Sequence, residues 1–274
     1  MALPRASRLV VLLAITTLLA GCGAAPDSSP SPEPSVVSTS PATASPPRPK
    51  PSKQRSVFAG KTIGIDPGHN GRNHTDPTFI NRRIWNGRAY ENCNTTGTAT
   101  NDGYPEATYN WGVATELRRL LRHAGAKVVM TRHDNDGVGP CVDQRARIIN
   151  NAHADVAIDI HADGSGPDAR GFAILQPVPS GTNDAVVPAS RRYAKLLRDS
   201  FVKTGMPVST YLGDHGLTTR NDLAGLNLTT VPQVLIECGN MRNREDAALL
   251  TSAEFQRKAA RRIMAAMAEF LRAR

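Results

Sequence analysis

Apolar side chains along this chain gather in short continuous runs at residues 62–66, 127–131, 156–161, 170–175 and 233–237. Runs of that length bounded by polar residues read as buried strands. The stretches between them change period. After Glu106, the residues Val113, Leu117, Leu120, Leu121 and Ala124 share one face at helical spacing, and Gly125 follows as a stop. Residues 143–152 and 189–204 repeat the helical pattern, the second with Tyr193, Leu196, Leu197 and Phe201 inward and Gly205 as terminator. A final helix opens on a Thr251-x-x-Glu254 capping box and turns Phe255, Ala259, Ile263, Met267 and Phe270 inward. Strands alternating with helices predict an α/β fold: one domain built on a twisted mixed, mainly parallel sheet of about six strands, with helices on both faces. Residues 70–105 break the rhythm with Asn, Thr, Gly and Arg and little periodicity. A loop of that length in a compact domain is usually functional or disordered, and this one is expected to rim the site.

The first fifty-six residues belong to no such pattern. Arg5 and Arg8 precede an apolar stretch from Leu9 to Ala20 that closes on Leu19-Ala20-Gly21-Cys22. This is a secretory signal whose apolar core is too short to span a bilayer as a mature helix. Its ending resembles a bacterial lipobox, which predicts a signal peptide over 1–21 and a lipidated Cys22 as the new N-terminus. Residues 22–56 are rich in Pro, Ser, Ala and Thr and hold too few large apolar side chains for a core. They read as a tether that stands the domain 57–274 off the outer face of the cytoplasmic membrane.

The formal charge of +9 falls by two with Arg5 and Arg8 and by two more in the tether, leaving +5 for the domain. That balance is spread through the helices and interleaved with no aromatic run, so a nucleic-acid partner is not expected. Anionic wall polymers or lipid head groups are the natural counterpart of such a charge outside the cell.

Chemistry concentrates where the strands end. Ile63-Gly64-Ile65-Asp66-Pro67-Gly68-His69 runs into a Pro-Gly turn that delivers a histidine, with Gly68 expected to supply the backbone freedom that aims it. The run 156–161 also ends in a histidine, His161, and the run 233–237 ends in Glu237. Ligands of open α/β sheets gather at the carboxyl edge of the strands, so these groups can converge. Two imidazoles with carboxylates point to a zinc site. Asp66 and Asp163 stand close in sequence to His69 and His161 and are candidates for the outer hydrogen bonds that orient metal-ligating imidazoles. Glu106, behind Pro105 at a helix start, would on its own be ordinary helix-dipole chemistry. Glu237 is different, because a carboxylate ending a buried apolar run is costly without a partner.

The order of these pieces resembles the catalytic domain of zinc-dependent N-acetylmuramoyl-L-alanine amidases of the cell-division type. The resemblance is carried by Gly64-Ile65-Asp66-Pro67-Gly68-His69-Asn70-Gly71, by Glu106 heading a helix that leads to Val128-Val129-Met130-Thr131-Arg132, by Gln144-Arg145-Ala146 through Ile160-His161-Ala162-Asp163, and by Val231-Pro232 to Glu237-Cys238-Gly239-Asn240-Met241. It implies one zinc ion per chain held by His69, Glu106 and His161, with Glu237 as the catalytic acid and base, and peptidoglycan or muropeptides as substrate. Asp159 stands where that family usually has a small residue, and Cys238 where leucine is common. Neither the helix that blocks the site in many such enzymes nor a separate wall-binding module is visible, and a monomer is expected. Two alternatives remain open at this point: a zinc peptidase or carboxypeptidase cutting within the stem peptide, and an inactive wall-binding lipoprotein.

Of the four cysteines, Cys22 is assigned to lipid and Cys238 follows a buried strand beside the expected base. An oxidising compartment leaves Cys93 and Cys141 as the pair expected to form a disulfide.

Overall fold

The computed structural model describes residues 55–273. The signal segment, Cys22 and nearly all of the tether lie outside the described residues. The first half of the domain contains β1 (Thr62–Pro67), α1 (Pro77–Ile80), β2 (Arg83–Trp85), β3 (Tyr90–Asn92), α2 (Glu106–His123), β4 (Lys127–Met130), α3 (Val142–Asn151) and β5 (Val156–Asp163). The second half adds β6 (Ala173–Pro177), α4 (Val187–Phe201), β7 (Leu217–Arg220), α5 (Ala224–Asn227), β8 (Gln233–Asn240), α6 (Arg244–Leu250) and α7 (Ala253–Arg272).

Six strands form one sheet in the order β4-β1-β5-β8-β6-β7, while β2 and β3 make a separate antiparallel hairpin. The four strands β4, β1, β5 and β8 are parallel; β6 runs against β8, and β7 runs parallel to β6. The expected α/β sheet of six mainly parallel strands is therefore what the chain builds. The sixth strand, β7, is one that apolar patterning does not reveal, because Leu-Thr-Thr-Arg is short and mostly polar.

The pleat divides the sheet chemically. Successive side chains of a strand alternate between faces. Ile63, Ile65, Val156, Ile158, Ile160, Val234 and Ile236 fall on one face, buried under α2, α4 and α7 in the main core. The intervening positions Asp66, Asp159, His161, Leu235 and Glu237 fall on the other, where α3 and α5 give only partial cover. The strands read as continuous in sequence because both faces are buried over most of their length, and the second face sets its polar groups among small apolar clusters such as Ala173, Leu175, Leu226 and Leu235.

Helix boundaries correct the sequence reading in detail. Gly125 and Gly205 do end helical segments, in left-handed conformation with φ of 90° and 93°. In α2, Val113, Leu117 and Leu121 are fully buried while Leu120 and Ala124 are partly so. The cap of α7 is Ser252, whose side chain accepts from the Phe255 amide, and not Thr251. Thr251 closes α6, with its hydroxyl donating to the Ala247 carbonyl at 2.8 Å. Two adjacent hydroxyl residues offered two cap positions, and the short α6 claimed the first.

Candidate metal centre

The loop after β1 is held from below by two buried arginines. Arg145, in the first turn of α3, pairs with Asp66 at 2.6 Å and donates to the carbonyls of Pro67 and His69 at 2.9 and 2.6 Å. Arg132, just beyond β4, donates to the Pro67 carbonyl at 2.8 Å and to the Ala107 carbonyl at 3.0 Å. Burial, together with the nearby charge of Arg145, pushes the Arg132 guanidinium down to about 9. These bonds fix the backbone from which His69 projects, and they tie it to the start of α2.

His69 itself takes up the strained geometry, with φ of 59°, a left-handed conformation rare outside glycine. Gly68 serves a different purpose from the one expected of it. A Cβ at that position would lie 2.2 Å from the Cε1 and Nε2 atoms of His161. The second imidazole packs directly on the Gly68 backbone, and only a residue without a side chain leaves room for it.

Glu106 is the first residue of α2 and joins the two rings. Its Oε1 lies 2.9 Å from His161 Nδ1 and accepts from the Ala162 amide at 3.2 Å. Its Oε2 lies 3.1 Å from His69 Nε2 and accepts from the Thr98 amide at 2.9 Å. The two rings meet edge to face with centroids 4.8 Å apart. Burial works to raise the Glu106 pKa, but the two imidazoles overcome it and hold the carboxyl well below the usual range. Burial likewise opposes the charged form of His161, yet Asp159 and Glu106 beside it raise that ring's pKa well above normal.

The outer partners differ from those expected. Asp66 does not reach an imidazole, because Arg145 and the Thr131 hydroxyl, at 2.6 and 2.5 Å, consume it. Asp163 accepts from the Tyr211 hydroxyl at 3.0 Å and from the Gly164 amide at 2.7 Å. His69 turns its Nδ1 to the Thr95 carbonyl at 3.2 Å, a residue of the irregular 70–105 segment. The carboxylate nearest the far nitrogen of His161 is Asp159, with Oδ1 3.2 Å from Nε2. Sequence proximity favoured Asp66 and Asp163; the pleat places Asp159 on the same face as His161, whereas the β5–β8 register is interrupted between His161 and Asp163, and Asp163 bonds Tyr211 instead.

Glu237 stands beside His161 in the paired register of β5 and β8. Its Oε2 is buried and has no hydrogen-bond partner in the described structure. Burial raises its pKa well above that of an ordinary carboxyl, assisted by the neighbouring acids against the opposing effect of His161. A buried orphan carboxylate oxygen is a costly feature that calls for a partner. Glu237 lines a cavity of about 460 Å³ together with His69, Glu106 and His161.

One donor atom each from His69, Glu106 and His161 lies within 4.8 Å of the other two. Two imidazole nitrogens and one carboxylate oxygen suit zinc, and three protein ligands leave a coordination position open. The residues present therefore fit such an ion. The 70–105 segment does rim this site, but it is more ordered than a loop, containing α1 and the β2–β3 hairpin. Its anchor is a disulfide between Cys93 and Cys141, and Cys238 is free and buried.

Residues 63–269 match the family model described as N-acetylmuramoyl-L-alanine amidase. The N-acetylmuramoyl-L-alanine amidase Rv3717 of Mycobacterium tuberculosis is 39% identical over 215 residues, which cover 78% of this chain and 88% of that protein. The crystal structure of the N-acetylmuramyl-L-alanine amidase Ami1 from Mycobacterium smegmatis superposes with a TM-score of 0.75 at 40% identity, covering 79% of this chain and 99% of that one. The apo form of Ami1 from Mycobacterium abscessus gives a TM-score of 0.74 at 40% identity, covering 78% and 99%.

Proposed function

This chain belongs to the N-acetylmuramoyl-L-alanine amidase family, and from that membership we infer that it hydrolyses the amide bond between the lactyl group of N-acetylmuramic acid and the first alanine of the peptidoglycan stem peptide. The observation that carries the site assignment is the cluster of His69, Glu106 and His161, with Glu237, one of whose oxygens is unpartnered, lining the same cavity. The three clustered residues would hold one zinc ion, which when bound would supply a Lewis acid that polarises a carbonyl and lowers the pKa of water to near neutrality.

The chain's own groups account for the proton movements. Glu237, already desolvated, accepts a proton from the attacking water at its free oxygen. Oxygen adds to the lactyl carbonyl carbon, the carbon–nitrogen bond breaks, and Glu237 returns the proton to the departing alanine nitrogen. The products are a glycan bearing a lactyl carboxylate and a peptide with a free amino terminus. Arg145, Arg132 and the Gly68 contact keep the imidazoles in place throughout. Reading the N-terminal segment with this site gives an exported enzyme of the cell envelope, anchored through a lipidated Cys22 and a tether over 22–56.

The variant Glu237→Gln tests the division of roles, since it removes the base and leaves the three proposed ligands. It is expected to bind zinc in equimolar amount while losing nearly all turnover. Loss of zinc in parallel with activity would make Glu237 a ligand and overturn the assignment; His69→Ala and His161→Ala are expected to lose both.

A further inference from the structure

Arg220 is the last residue of β7, the strand at the sheet's edge. Register carries its direction across the sheet: Thr218 pairs with Leu175, and Leu175 with Leu235. Arg220 therefore lies on the same face as Leu175, Leu235 and Glu237, and its side chain lines the same cavity as the metal centre. Asp222 grips one edge of the guanidinium, accepting from Nε and Nη2 at 2.7 Å each. Nη1 has no partner among the described residues.

The other charges lining this cavity set its meaning. Arg145 is the second cation there, but it is only 2% exposed and is consumed by Asp66 and backbone carbonyls. Glu91, Asp159, Asp163 and Glu237 are acids. Among the described side chains, and apart from the metal centre, an anionic group entering the groove thus meets one available guanidinium, whose fork is already oriented by Asp222 and which shares the cavity with the apolar Leu175, Leu223 and Leu235. Arg220 is four residues along the strand direction and two strands across from Glu237 in the paired register. At about 3.3 Å per residue and about 4.8 Å per strand, that separates their Cα atoms by roughly 16 Å. Allowing for the length of the arginine side chain, the gap to the reacting bond matches two or three extended residues.

We propose that Arg220 selects stem peptides that carry a free carboxylate on the second or third residue, by pairing that carboxylate with the open edge of its guanidinium. The proposal rests on the amidase reading and adds a substrate feature to it. The lactyl side of the bond has no carboxylate to offer, because that carboxyl is the amide itself. The anionic groups all belong to the leaving peptide, which accordingly runs along the groove toward β7.

The test uses the zinc-loaded enzyme and two muramoyl tripeptides, one with its stem carboxylates free and one with all of them amidated, with kcat/KM read by mass spectrometry of the released peptide. The wild-type enzyme is expected to prefer the free acid by about tenfold or more, the usual worth of a hydrogen bond to a charged group. Arg220→Ala is expected to remove that preference while changing the amidated substrate by less than about threefold, and Arg220→Lys, which keeps charge without the fork, to restore part of it. Equal wild-type turnover of the two substrates would overturn the proposal and leave the amidase reading intact. Equal losses on both substrates in Arg220→Ala, at unchanged zinc content and melting temperature, would also overturn it. Failure to release an alanine-terminated peptide from either substrate would instead count against the amidase reading itself.

Discussion

Arg145 sits in the interior beside Asp66 and supports the histidine loop through several backbone carbonyls, so its removal would strand a buried carboxylate. Breaking such a pair from one side costs about 3–5 kcal/mol. Arg145→Met is therefore expected to lower unfolding free energy by that amount in urea denaturation and to weaken zinc binding; a loss below about 1 kcal/mol would show that the pair does not hold the loop. Gly68→Ala makes a narrower prediction. Its new methyl would force the His161 ring aside, so zinc affinity measured by chelator competition should fall by about tenfold or more with the fold intact, the range seen when a ligand's orientation is lost. Wild-type affinity would mean that the ring has room the geometry denies it. That His69, His161 and Glu237 meet at one cavity was legible in the sequence because each ends a strand-like run. The roles of Arg132 and Arg145 were not, since nothing in a linear pattern distinguishes a buried arginine that bonds carbonyls from a surface one. Asp66 and Asp163 misled because each is taken up by a partner distant in sequence, Asp66 by Thr131 and Arg145 and Asp163 by Tyr211.

The element with least core of its own is the segment between β1 and α2, where the hairpin of β2 and β3 leaves Trp85 and Tyr90 half or more exposed. Cys93, one residue past that hairpin, is joined to Cys141 at the cap of α3, closing a loop with a sequence separation of 48. In the chain-entropy account a loop of that size is worth about 4 kcal/mol. Reduction of a soluble form beginning at Val57 is expected to leave the sheet folded while speeding proteolysis within residues 70–105, and thiol counting before reduction should find Cys238 alone. Unchanged cleavage, or three reactive thiols in the oxidised protein, would contradict this. Compartment and elimination were enough to find the pair. They could not show the hairpin, whose Arg-Ile-Trp and Tyr-Glu-Asn strands are too short to register as periodic. The same brevity hid β7 and α6, and with them the groove wall that carries Arg220.

At the scale of the whole chain, a mainly parallel sheet of about six strands with helices on both faces followed from alternating strands and helices, while the strand order and the antiparallel placement of β6 depended on long-range pairing that no local pattern encodes. No helix among the described residues is long and apolar enough to cross a membrane, so attachment in the proposed account depends on the lipid at Cys22. Cys22→Ala is expected to move the protein from the detergent phase to the aqueous phase in detergent partitioning, and unchanged partitioning would remove the anchor from the account. The central claim concerns which bond is cut. Purified wall sacculi digested with the zinc-loaded enzyme and analysed by mass spectrometry should yield glycans bearing free lactyl carboxylates together with intact stem peptides beginning at a free alanine amine. Muropeptides that keep the lactyl-alanine bond and are shortened within the stem would contradict it.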